Sequence, residues 1–132
     1  MPFCLPRLAA SLLLALALAV SVQAQDQNAE PPLPGWWLAE MTMPDDHRIE
    51  AVREVGSRIR MLAFHTDTDA DTLLTGWAER MEADGYAIDW SVNPDGPPSF
   101  EFEGEAVLNG QAVSTPCHEG CASRIQVDMT LR

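Results

Sequence analysis

Residues 99–132 read SFEFEGEAVLNGQAVSTPCHEGCASRIQVDMTLR, and the periodicity of this stretch decides the fold. Phe100, Phe102, Ala106 and Leu108 alternate with Glu101, Glu103 and Glu105. Ile125, Val127, Met129 and Leu131 alternate with Arg124, Gln126, Asp128 and Thr130. Apolar and polar side chains alternating with period two mark strands that bury one face. Asn109-Gly110 is a strong hairpin signal because both residues tolerate positive φ. It predicts a turn with Leu108 opposite Gln111 and Ala106 opposite Val113. A second turn is expected at His118-Glu119-Gly120, which sets Cys117 opposite Cys121, Val113 opposite Ile125 and Gln111 opposite Val127. In that register most apolar residues share one side of an antiparallel meander, with Gln111 the exception.

Working back along the chain, Tyr86, Ile88, Trp90 and Val92 alternate with polar or small residues, which predicts a strand ended by Pro94-Asp95-Gly96-Pro97-Pro98. Asp69 to Asp84 reads as a helix whose apolar stripe is Leu73, Leu74, Trp77, Ala78 and Met81. Thr68 or Asp69 can cap its start, and Gly85 stands where a left-handed C-terminal cap belongs. Residues 45–66 fit either a helix or a hairpin turning at Gly56-Ser57. The hairpin is preferred, since a mid-helix glycine costs ~1 kcal/mol. The expected class is α+β: one helix packed on a mostly antiparallel sheet, in the approximate order ββαββββ.

Residues 1–24 have the three parts of a secretory signal peptide: Arg7, the apolar run Leu8 to Val20, and small residues at Val22 and Ala24. The apolar run is shorter than a bilayer-spanning helix, and Cys4 precedes it, so cleavage after Ala24 and periplasmic or secreted release are expected without stable membrane insertion. Residues 25–35, ending in Pro31-Pro32-Leu33-Pro34-Gly35, read as a linker, and 36–132 as a single small α+β domain. The chain carries 20 Asp and Glu against 8 Arg and no lysine, a formal charge of −12 that loses one further cation with Arg7. Such a balance excludes nucleic acid, whose phosphates need cations, and an anionic membrane surface. It favours cationic partners.

Cys117 and Cys121 are expected to form a disulfide in an oxidising compartment. The rival reading makes Cys117, His118 and Cys121 ligands for zinc or copper, with Met41 and Met43, near His47, as further thioether donors. Asp67, Asp69 and Asp71 resemble the start of a calcium loop, but Thr72 and Ala78 occupy its glycine and glutamate positions, so they read as a capping turn. Glu101, Glu103 and Glu105 form a candidate acidic binding surface, which Asp89 and Asp128 extend. Trp36 and Trp37 are a second candidate surface, or else a pin for the start of the domain. No nucleophile elbow, metalloprotease motif or phosphate-binding glycine loop is present, no cofactor is implied, and an enzyme is not the expected reading.

Asp71 to Trp90, with Leu74, Trp77-Ala78-Glu79, Gly85-Tyr86 and Asp89-Trp90, followed by Phe102-Glu103-Gly104, resembles the strand–helix–strand core of small periplasmic modules in secretin and pilus-assembly proteins. It lacks the second helix those modules carry. The functional expectation is a non-enzymatic interaction or accessory module of the cell envelope, binding another envelope protein. The alternative is a small periplasmic zinc- or copper-binding protein.

Overall fold

The computed structural model describes residues 30–90, 94–118 and 120–132. The signal-peptide reading, the first part of the linker, and the strand position Val92 lie outside the described residues.

The chain runs β1 (Arg48–Val55), β2 (Ile59–Thr66), α1 (Ala70–Ala83), β3 (Ala87–Asp89), β4 (Ser99–Glu103), β5 (Val107–Thr115) and β6 (Ser123–Leu131). The strands form one six-stranded sheet ordered β1-β2-β6-β5-β4-β3, and every neighbouring pair is antiparallel. One helix and a six-stranded antiparallel sheet make the protein α+β. Residues 45–66 contain the hairpin, with Gly56 at φ 61° in its turn. α1 connects β2 to the far edge strand β3, so it must cross one whole face of the sheet.

Helix α1 begins where Asp69 Oδ2 accepts from the Thr72 N–H and hydroxyl, each at 3.1 Å. It ends at Gly85, φ 94°, with the Tyr86 N–H reaching back to the Met81 carbonyl at 3.0 Å. Just before it, Asp46 accepts from the Thr66 hydroxyl at 2.6 Å and the Asp67 N–H at 2.8 Å, bonds that hold its carboxyl below the usual range. The stripe Leu73, Leu74, Trp77, Ala78 and Met81 is buried against Phe64, Phe100, Phe102, Ile125, Val127 and Met129. Each large side chain so buried is worth ~1.5–3 kcal/mol. Trp77 is fully buried, and its Nε1–H donates to the Thr42 carbonyl at 2.8 Å, so its one polar group is satisfied. Among the described residues no helix is long and apolar enough to cross a membrane.

The expected turn at Asn109-Gly110 does not form. The chain turns earlier, at 104–106, where the Gly104 N–H donates to the Val107 carbonyl at 2.9 Å, and β5 runs straight through Asn109 and Gly110. Gly110 pairs with Phe102, and a Cβ at Gly110 would fall inside the Phe102 ring. The glycine is therefore a seat for an aromatic ring on a strand, not a turn residue. The register of β5 with β6, which their own connection sets, also differs by one residue from the expected one: Ala112 faces Val127, Ser114 faces Ile125, Gln111 faces Asp128 and Val113 faces Gln126. The expected pairs Gln111–Val127 and Val113–Ile125 are replaced, and Gln111 lies with the polar set. Leu108, expected inside, is exposed, and Val107 is buried in its place.

Gly110→Ala is expected to cost about 1–3 kcal/mol, because the added methyl displaces the Phe102 ring. Asn109→Ala, on the exposed side, should change stability by less than about 0.5 kcal/mol. Urea denaturation of both variants makes the comparison. Equal small effects would mean that Gly110 does not seat the ring.

Candidate functional site

Because α1 covers one face, the other face of the sheet is open, and each strand contributes alternate residues to it. At one end, Ile59, Glu101, Glu103, Asn109 and Asp128 line a hollow of about 460 Å³, together with Asp89 on the edge strand. Among the described residues no arginine lines it. Glu101 pairs with Asp89 on one side and Gln111 on the other, and Gln111 pairs in turn with Asp128. The register thus carries a row of acidic and amide side chains across four strands. Gln126 Nε2 donates to Asp128 at 3.2 Å.

The acidic residues singled out from the sequence divide between two places. Glu101 and Glu103 are exposed on the open face, at the hollow. Glu105 sits in the turn before β5 and lines a separate surface with Trp36, Tyr86, Leu131 and Arg132. Trp36 and Trp37 are not displayed together as a free aromatic anchor. Both pack against the core, and Trp37 meets Trp77 edge-on at 5.8 Å while donating to the Met41 carbonyl at 2.7 Å. Trp37 thereby clamps the start of the domain onto the helix.

At the other end of the open face, the β5–β6 connection brings Cys117 and Cys121 to disulfide-bonding distance, with Cα atoms 6.0 Å apart. The histidine beside them is His65, at the end of β2, and not His118. His65 Nδ1 lies 3.2 Å from Cys121 Sγ and 3.8 Å from Cys117 Sγ. His118 is exposed and stands outside this group. Behind the ring, His65 Nε2 meets Glu50 Oε2 at 2.8 Å, and Arg124 Nε donates to the same oxygen at 2.7 Å. Arg124 Nη1 also reaches the Thr115 hydroxyl at 3.0 Å.

Local backbone geometry explains this cluster. Strand β1 pairs Ile49 with Phe64 and then Ala51 with Ala63, so Glu50 is the extra residue of a bulge. A bulge re-aims a side chain, and here it turns the Glu50 carboxylate onto the ring of the neighbouring strand. Arg124 pairs with His65 on one side and Thr115 on the other, holding the loop that leaves β5 over β2. The hydrogen bond from Arg124 first, and then that with His65, hold the Glu50 carboxyl below its usual range.

Sequence spacing does not single out His65, which lies at the end of β2. It is separated from Cys117 by 52 residues and from Cys121 by 56, so no spacing rule joins them. No protein-family model, curated protein or solved structure matches this chain.

A carboxyl held low in the folded state favours folding above the unfolded-state value, and that contribution is lost as pH falls through the folded one. Glu50, faced by His65 and Arg124, should add to the acid-side loss of stability. In Glu50→Gln, melting temperature followed from about pH 6 to about pH 3 should fall less steeply than in the parent chain. Parallel curves would mean that the Arg124 contact adds nothing in solution.

Proposed function

We propose that the protein is a non-enzymatic accessory module of the cell envelope, exported by residues 1–24, that holds an arginine- or lysine-bearing segment of another envelope protein against the open face of its sheet. The observation that carries this reading is the hollow at Ile59, Glu101, Glu103 and Asp128, which gathers carboxylates and, among the described residues, is lined by no arginine. Charge complementarity chooses the occupant. A guanidinium or ammonium group gains charge-assisted hydrogen bonds from these oxygens, and the stem of its side chain can lie along Ile59, which is 47 % exposed. The chain's excess of 20 Asp and Glu over 8 Arg speeds the approach of such a partner.

Three things support an extended segment over a folded cationic surface: the hollow is concave, it runs across β6, β5, β4 and β3, and it ends at the short edge strand Ala87–Asp89. An added strand could also pair along that edge. The acidic turn at Glu105 lies apart from this surface and serves as an internal control.

A peptide alternating arginine with serine should bind the mature chain, with affinity that falls as salt is raised. The double variant Glu101→Gln with Asp128→Asn should weaken binding about a hundredfold, since each lost charge-assisted bond is worth ~1.5 kcal/mol or more. Glu105→Gln should leave it unchanged. Titration calorimetry at low and high salt distinguishes these outcomes. Binding that ignores the double variant, or no binding at low salt, would remove the reading.

A further inference from the structure

The three donor atoms of His65, Cys117 and Cys121 lie within 4.8 Å of one another, each on a half-buried residue. They occupy the end of β2 and β6 opposite the acidic hollow, since His65 pairs with Arg124 while Ile59 pairs with Thr130. A disulfide that only closes a loop has no use for an imidazole against both sulfurs. This imidazole is, moreover, oriented: Glu50 and Arg124 together fix its far nitrogen.

The tautomer follows from the partners. Glu50 accepts from Arg124, so it stands as a carboxylate, and a carboxylate facing Nε2 requires the proton there. In the neutral ring Nδ1 then presents its lone pair to the two sulfurs. Sulfur lone pairs and a nitrogen lone pair do not attract one another, so something electropositive belongs between them. With the sulfur–sulfur bond open, thiol protons or a cation fill that place. A carboxylate on the distal nitrogen of a histidine is also the arrangement that orients metal-binding imidazoles.

We propose that, once the Cys117–Cys121 bond is opened, the two thiolates and His65 Nδ1 hold one soft d10 cation, zinc(II) or copper(I). Opening needs a dithiol reductant: it gives two electrons and two protons to the cystine and leaves as its own disulfide, while Cys117 and Cys121 become thiols. Cation binding then releases the two thiol protons to solvent. Two sulfurs and one nitrogen complete a trigonal copper(I) site. Zinc(II) would take a fourth ligand from the solvent side. The oxidised chain has no thiolates to offer, so the site exists only in the reduced state, and the loop reads both redox state and metal supply.

The test uses the mature chain, reduced and handled without oxygen, in competition with a chromogenic zinc chelator and, separately, with bicinchoninate for copper(I). The expected result is one equivalent of either cation in the reduced chain and none in the oxidised chain. Glu50→Gln should weaken binding by about 10–100-fold, His65→Ala by at least as much, and His118→Ala should leave it unchanged. Melting curves of the metal-free variants separate loss of a ligand from loss of fold. A reduced chain that takes up neither cation stoichiometrically, or binds equally well after His65→Ala, overturns the proposal. So does equal binding by the oxidised chain. The arginine peptide titration is independent of all these outcomes, since it reads the opposite end of the face.

Discussion

Everything else in this protein depends on the pairing of its last strand with two partners at once. β6 lies between β2 and β5, with Ser123–Thr130 against the one and Arg124–Leu131 against the other. Without it the N-terminal hairpin and the β3–β5 strands would be separate sheets, the first of them too small to be stable alone. Its alternation does two tasks. Ile125, Val127 and Met129 complete the floor under α1, while Arg124, Gln126 and Asp128 order the open face. A slip of one residue would send Arg124 under the helix, where its charge would lack a partner.

The local signals were mostly legible. The helix stripe, its Asp69 cap and its Gly85 stop stand where period and capping chemistry put them. What misled was Asn109-Gly110. That dipeptide is a turn signal only if its glycine is needed for positive φ, and here the glycine is needed for its missing Cβ, under the ring of Phe102. The distinction depends on a cross-strand neighbour, which local sequence does not reveal. The same blindness hid the order of strands: that β6 should reach back to β2 is a matter of closing the core, not of any turn.

The candidate sites were legible in proportion to their locality. Glu101 and Glu103 sit on one strand, two apart, and period alone sends both to the same face. Glu105 obeys the same period on paper and escapes it because the strand stops at Glu103. The sulfur pair was visible as a pair, but its histidine was not. His118 was the sequence neighbour, while His65 is the spatial one, delivered by the β2–β6 register and pointed by a bulge at Glu50. A bulge of this kind leaves no compositional trace, since any residue can be the extra one.

Whether the sulfur pair is there for stability can be decided by magnitude. Closing so short a loop removes only ~2 kcal/mol of unfolded-chain entropy in the chain model. The strands that the loop joins are already paired without a break from Asn109–Thr130 to Thr115–Arg124, and Arg124 ties β6 to Thr115 and to Glu50 at the same end. A bridge is least useful to the fold where hydrogen bonding is already dense, and Gly120 and His118 beside it are exposed. The arrangement costs the fold something as well, because the bulge at Glu50 interrupts the β1–β2 ladder next to the buried Ile49. A modest staple does not account for a ladder broken to aim a carboxylate at an imidazole that in turn faces both sulfurs. The cation site proposed above would account for it, because an imidazole held by its far nitrogen presents the near one to whatever the sulfurs bind.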